Sequence, residues 1–274
     1  MPHSTDREYG ERAIPQYERA VSLAGGEPVR IPLDRSPAEV RSLIERCDGV
    51  LLPGSNADID PARFHQAPSP HSAKADPRRD DVDTLLLDDA YARRKPVLGI
   101  CYGLQSLNVY RKGSLIQHIP DFLPEATRAK INHEAGRNVA VAHTVEVETS
   151  SRLAEIVGIP LPLPNEALAA VSREGHAVGR ADIASQSIRA LAAGGDSLVV
   201  PVNSSHHQSA DSIGGGLRIV ARCPDDGVIE ALEGTAPDHF ILAVQWHPER
   251  SVDKDGASRA IFHALITAAN RSQT

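Results

Sequence analysis

The segment richest in chemistry is Pro96-Val-Leu-Gly-Ile-Cys-Tyr-Gly-Leu-Gln105, an apolar run leading into Gly99-x-Cys101-x-Gly103 and then a helical pattern. A cysteine between two glycines at this spacing fits a nucleophile elbow, where a strand turns sharply into a helix around a strained residue. The glycines matter because such a turn presses backbone against backbone, leaving no room for a Cβ. The same turn sets Cys101 at a helix N-terminus, whose dipole and unpaired N–H groups favour the thiolate, the nucleophilic form. The plainer reading is a buried core cysteine, a common fate for this residue type. The paired glycines weigh against it.

A thiol nucleophile needs a base, usually a histidine oriented by a third group. Near the C-terminus, Phe240-Ile-Leu-Ala-Val-Gln-Trp carries an apolar run into His247-Pro248-Glu249. In extended backbone, residues i and i+2 face the same way, so Glu249 can reach the imidazole of His247 and stabilise its charged form. Pro248 between them forbids helical continuation. His-Pro-Glu alone is a weak signal; beside the elbow it becomes a strong one.

Two further segments carry candidate residues. Val202-Asn-Ser-Ser-His-His-Gln208 places His206 beside His207, so at most one faces a common pocket, and one of the pair can be purely structural. As metal ligands they are unconvincing, because no third ligand stands at zinc-site spacing. Leu51-Leu-Pro-Gly-Ser-Asn-Ala-Asp58 ends a strand in a glycine turn, which is either an ordinary loop or a source of backbone N–H groups for an oxyanion.

These residues need a scaffold, and the first half of the chain alternates helical and extended patterns. A helix is expected over 16–24, closed by Gly25-Gly26, then a strand over 28–33. Ser36 and Glu39 form a capping-box pattern for a helix running to Cys47. A buried strand follows within 48–53, then a helix from Asp80 to Arg94, the strand of the elbow, and the helix behind it. This alternation predicts an α/β fold with a doubly wound, mostly parallel sheet and helices on both faces. After Gly113 the pattern changes, with period-two alternation over 141–149 and short strands at 198–202, 217–222, 228–233 and 240–245. They predict a small antiparallel extension, closed by a helix over 256–270. Residues 160–197, with prolines, alanines and a glycine pair, read as an insertion packed near the active-site mouth or a subunit contact.

The composition narrows the classes of function. The chain of 274 residues is 41% hydrophobic and 24% charged, which fits one domain over 1–274 with a full core. Net charge is −7 and the basic residues are scattered, so no nucleic-acid surface is expected. No apolar run approaches the ~18 residues of a membrane helix, and no membrane partner is expected. The polar start, MPHSTDREYGER, cannot be the apolar centre of a secretory signal. Cys47, Cys101 and Cys223 lack C-x-x-C spacing and leave an odd count, which favours a reducing cytoplasm over disulfides or zinc.

Taken together, these segments resemble the class I glutamine amidotransferase-like superfamily, and within it the gamma-glutamyl-gamma-aminobutyrate hydrolase branch, the peptidase C26 group. The resemblance rests on DGVLLPGS at 48–55, RRD at 78–80, PVLGICYGLQSLNV at 96–109, VNSSHHQ at 202–208, DGVIEALE at 226–233 and AVQWHPE at 243–249. It implies a flavodoxin-like sheet, no cofactor and no metal. It also implies a catalytic Cys101, His247 and Glu249, with an oxyanion hole from the N–H of Tyr102 and one from Gly54 or Ser55. Gln105 is then expected against the glutamyl part of a small-molecule γ-glutamyl substrate, with Ser205 and His206 lining the pocket. Hydrolysis would run through a cysteine thioester and release glutamate and an amine. The competing functions are a glutaminase subunit feeding ammonia to a synthetase, and a non-catalytic binding protein on the same scaffold.

Two departures stand out. The usual double glycine after the elbow helix is Lys112-Gly113 here, and nothing before Ile14 resembles the family's first strand, of the form P-x-I-G-I-T. Loss of an internal strand would expose ladder groups. The chain is therefore expected to be marginally stable, to form a homodimer through that edge, or to cover it with its own N-terminal residues.

Overall fold

The computed structural model describes residues 1–2, 5–128, 130–158 and 197–271. Of the expected insertion at 160–197, all but Ser197 lies outside the described residues.

The first helix, α1, runs from Arg7 to Leu23, nine residues earlier than the sequence pattern suggests. Asp6 caps it by accepting from the Tyr9 N–H at 2.9 Å, and Pro15 sits inside it. The polar start conceals an apolar stripe, Tyr9-Ala13-Tyr17-Ala20-Val21, whose spacing puts one face on the core. Helix α2, Pro37–Ile44, begins with the anticipated capping box, Ser36 and Glu39 each accepting the other's backbone N–H. Then come β1 (Val50–Leu52), α3 (Pro77–Arg93), β2 (Val97–Ile100), α4 (Tyr102–Tyr110) and β3 (Leu115–Ile116). Two single-turn helices, α5 (Ile119–Phe122) and α6 (Glu125–Arg128), lead to β4 (His143–Glu148) and α7 (Arg152–Val157). The remainder is β5 (Ser197–Val202), β6 (Ser209–Ala210), β7 (Leu217–Arg222), β8 (Ile229–Gly234), β9 (Ile241–Val244) and α8 (Gly256–Arg271).

Seven strands form one sheet in the order β1-β2-β9-β8-β7-β4-β5. β1, β2 and β9 are parallel, and from β9 outward each pairing is antiparallel. The α/β, flavodoxin-like class holds, while the antiparallel extension, expected to be small, supplies four strands. Strand parity splits the core into two layers. Leu51, Leu98, Ile100, Leu242 and Val244 face α1, α7 and α8, whereas Val50, Leu52, Val97, Ile241 and Ala243 face α2, α3 and α4. No helix among the described residues is long and apolar enough to cross a membrane.

The expected strand over 28–33 is corrected to a single bridge between Ile31 and Pro2. The Ile31 N–H donates to the Met1 carbonyl at 2.7 Å, and the Met1 ammonium donates to Val29 O at 2.8 Å. Met1 and Pro2 thus cover part of this edge, as one of the three anticipated outcomes requires. Two residues can form one bridge but not a ladder, and a cavity of about 250 Å³ remains beside Met1, Gly49 and Leu51. At the other departure, Lys112 holds φ of 73°, a left-handed conformation that suits glycine better.

The contact that fixes the elbow lies between β1, β2 and α4. A Cβ on Gly103 would stand 2.1 Å from the Leu52 carbonyl oxygen, and one on Gly99 would stand 2.8 Å from Gly103 O. Gly103→Ala should therefore cost roughly 3 kcal/mol or more, the upper range for overpacking. Urea unfolding checks this; a midpoint within error of wild type would mean that α4 can move off β1 freely.

Candidate active site

Cys101 closes β2 and opens α4 with φ 53° and ψ −106°, a backbone strain that a non-glycine residue carries only when its surroundings enforce it. Its N–H donates to Val244 O at 2.8 Å, and its carbonyl accepts from Leu104 at 3.0 Å and Gln105 at 3.3 Å. That leaves the N–H groups of Tyr102 and Gly103 in the first helical turn without helical acceptors. The side chain is buried, 5% exposed.

His247 follows β9, and the short turn Pro248–Arg250 brings Glu249 back against it. Glu249 Oε1 lies 2.8 Å from His247 Nδ1, which assigns that nitrogen the proton and leaves Nε2 for the thiol. Burial alone would depress the imidazole, but Glu249 and the adjacent Cys101 side chain outweigh it and lift its pKa to about 9. Burial works against the Glu249 carboxylate too, yet His247 holds it below its ordinary value. Both neighbours therefore favour the charged ring. Such a pair can deliver a proton to a leaving group and take one from water.

Sequence reasoning did not single out the residues that hold this pair. Asn203 grips the histidine backbone from both sides: its Oδ1 accepts from His247 N at 3.0 Å, and its Nδ2 donates to His247 O at 2.8 Å. Tyr17, on the apolar stripe of α1, brings its hydroxyl within 3.5 Å of His247 Nδ1. An aromatic residue at helical spacing reads as core, so no sequence signal marked it. The RRD segment also has a local role. Buried Arg79 pairs with Asp83 at 2.7 Å, donates to Pro53 O at 2.6 Å and stacks 4.7 Å from the Tyr102 ring centroid. Asp80 accepts from the Tyr102 hydroxyl.

The structure corrects several expectations. The Gly54 N–H, offered for the oxyanion hole, already donates to Tyr17 Oη at 3.0 Å, which leaves Ser55 as the alternative beside Tyr102. Gly54 is still constrained, since a Cβ there would lie 2.9 Å from His247 Cε1. The Gln105 amide is engaged by Gln208 O at 3.2 Å and Gln245 Oε1 at 3.4 Å. Ser205 is half-buried. His206 belongs to a buried group with His133, His143 and Glu230, so the further ligands judged missing from the sequence do converge on it. His207 instead bonds Asp58 at 3.0 Å.

The profile described as Peptidase C26 matches residues 2–167 and 165–249, which take in the elbow and the His-x-Glu turn. The gamma-glutamyl-gamma-aminobutyrate hydrolase of Escherichia coli K12 is 30% identical over 258 residues, 92% of this chain and 84% of that protein. A glutamine amidotransferase-like protein of Rickettsia prowazekii is 30% identical over 259 residues, covering 92% and 87%. Among solved structures, the glutaminase domain of Trypanosoma brucei CTPS superposes with a TM-score of 0.54 over 98% of this chain and 92% of that one. At 15% identity, that likeness concerns the fold alone.

The raised imidazole makes stability depend on pH. Its folded value of about 9 lies above the unfolded value of ~6.5, so its contribution is complete below about 6.5 and is lost as pH rises through about 9. Wild type should lose on the order of 3 kcal/mol more than His247→Gln between those limits. Denaturant titrations of both proteins across that range test the sign, and parallel curves would mean that the ring is neutral in the fold.

Proposed function

The chain belongs to the peptidase C26 family and is a hydrolase of amide bonds, and from that premise we propose that it cleaves γ-glutamyl amides of small amines or amino acids, γ-glutamyl-GABA among them. Cys101 attacks the amide carbonyl, and the tetrahedral oxyanion is met by the N–H of Tyr102 with that of Ser55. His247 gives its proton to the departing amine nitrogen as the C–N bond breaks, leaving a glutamyl thioester on Cys101. It then takes a proton from water, whose oxygen attacks the thioester and releases glutamate and the thiol. Glu249 keeps the imidazole oriented and balances its charge throughout.

The observation that carries the glutamyl assignment is the set of cations around this pair. Arg137 is half-buried, and burial together with Arg250 and Arg12 pushes its pKa down, while Tyr9 and Glu249 pull the other way. Arg250 lies 3.5 Å from Glu249 Oε1, beyond a good hydrogen bond, and its buried Nε and Nη1 have no hydrogen-bond partner among the described residues. Guanidinium groups that repel one another beside a catalytic dyad fit a substrate that brings a carboxylate. A γ-glutamyl amide brings the α-carboxylate of its glutamyl half. The relative named for γ-glutamyl-γ-aminobutyrate supports the same class.

Cys101→Ser should fold and lose turnover, because a serine hydroxyl is far less ionised than a thiol. His247→Ala should lower kcat by roughly 10²–10⁴, the usual contribution of a positioned base. Assays against glutamine and a panel of γ-glutamyl amides decide the matter; a Cys101→Ser enzyme within about tenfold of wild type would end the thioester mechanism.

Arg137→Gln should raise KM for γ-glutamyl substrates by about 10–100-fold with little change in kcat, the signature of a lost charged contact made equally in ground and transition states. An unchanged KM would place the glutamyl carboxylate elsewhere.

A further inference from the structure

Behind the catalytic strand ends lies a second group of titratable side chains that the proposed reaction does not use. His133 comes from the turn after α6, His143 starts β4, His206 sits in the 203–208 segment, and Glu230 lies on β8. All four are buried, at 5%, 6%, 5% and 0% exposure. Oε1 of Glu230 lies 3.3 Å from His133 Nδ1, 3.5 Å from His143 Nε2 and 3.6 Å from His206 Nε2.

The outer edge of each ring settles what its inner edge presents. His133 Nε2 is 2.8 Å from Asp226 Oδ2, His143 Nδ1 is 3.2 Å from Thr144 O, and His206 Nδ1 is 2.9 Å from Gln208 O. Each of these partners only accepts, so each ring turns its N–H outward. A neutral ring then aims its lone pair inward. Among the described residues, His133 Nδ1, His143 Nε2, His206 Nε2 and both Glu230 oxygens have no hydrogen-bond partner. Three lone pairs facing a carboxylate in the protein interior repel one another, and each unpaired buried group is destabilising. Added protons resolve this poorly. One proton satisfies one ring, and three would bury one more positive charge than Glu230 and Asp226 balance.

One divalent cation at the centre satisfies all four groups. In a tetrahedral site with bonds of about 2.0–2.1 Å, neighbouring ligand atoms stand about 3.3–3.4 Å apart. The contacts to Glu230 run from 3.3 to 3.6 Å, and all four ligand atoms lie within 4.8 Å of one another. Three imidazoles and a carboxylate suit zinc, and a buried set with four protein ligands is the closed kind that stabilises structure. Asp226 behind His133 completes a carboxylate–histidine–metal arrangement, and its charge with that of Glu230 balances the ion. A pocket of about 160 Å³ lined by Leu123, Asn132, His133 and His206 connects the cluster to the surface. We propose that His133, His143, His206 and Glu230 bind one structural zinc ion, which fastens the 203–208 segment to β8 and to the turn carrying His133.

The test uses the full-length chain without a histidine tag, expressed with zinc and dialysed before elemental analysis. About one zinc per chain is expected, and zinc added back to chelator-stripped protein should raise Tm by at least about 5 °C at roughly a hundredfold excess over Kd. Cobalt in its place should show the intense visible absorption of a tetrahedral centre. His143→Asn and Glu230→Gln should each lose the metal, whereas His207→Gln, outside the cluster, should keep it. Less than about a tenth of an equivalent together with no zinc-dependent Tm change would overturn the site, as would full retention of zinc in both ligand variants. If those variants fail to fold, the wild-type metal content and melting curves decide alone. None of these readouts uses hydrolytic activity, so the zinc site and the γ-glutamyl reading stand or fall separately.

Discussion

The near-contact between the Leu52 carbonyl and Gly103 sets the geometry from which the rest of the site follows. Because α4 lies that close to β1, Cys101 must turn the chain within one residue, and it does so at φ 53°. A strained residue of this kind costs about 1–3 kcal/mol, and the burial of nearly all of α4 holds it in place. The same closeness puts the β1 exit loop beside the nucleophile. Arg79 then anchors that loop through Pro53 O, and Gly54 leaves room for the imidazole. Elbow, loop and base are thus three consequences of one packing distance.

Beside the nucleophile, buried ions of opposite sign meet in pairs. Arg79 meets Asp83, and His247 meets Glu249, each at hydrogen-bond distance and each almost fully enclosed. A buried pair of this kind adds little net stability compared with apolar residues, but removing one partner strands the other at a cost of about 3–5 kcal/mol. Geometry is what such pairs contribute here. Tyr17, Asn203 and Glu249 approach His247 from α1, from the 203–208 segment and from its own turn, which leaves the ring little freedom to rotate.

What the sequence made legible follows from where the information resides. Buried parallel strands are uninterrupted apolar runs, so β2 and β9 fall inside their expected bounds, and the expected 217–222 strand is β7. The elbow and the His-x-Glu turn are local patterns and were readable for the same reason. The start of α1 was not, because polar residues on its outer face outnumber the single stripe that faces the core. The strand over 28–33 failed since strand character depends on a neighbour, and among the described residues only Met1 and Pro2 lie alongside. Tyr17 and the histidine cluster were illegible on other grounds. Their partners come from distant parts of the chain, and no spacing rule links residues that meet only through the sheet.

The 203–208 segment shows how one stretch serves both sides of the sheet end. Asn203 faces the catalytic histidine, while Ser204 Oγ and His206 N both donate to the His133 carbonyl at 2.7 and 2.9 Å. Gln208 O accepts from His206 on one side and from Gln105, in the helix behind the nucleophile, on the other. The segment is therefore anchored to α4, to the turn holding His133 and to the end of β9 at once. Next to it, Gln245 N donates to Glu230 O at 2.7 Å, two residues before His247. The position of the base thus depends on groups that never touch the substrate. Whatever neutralises the buried histidines and Glu230 must also hold this segment, because the same backbone carries His206 and Asn203.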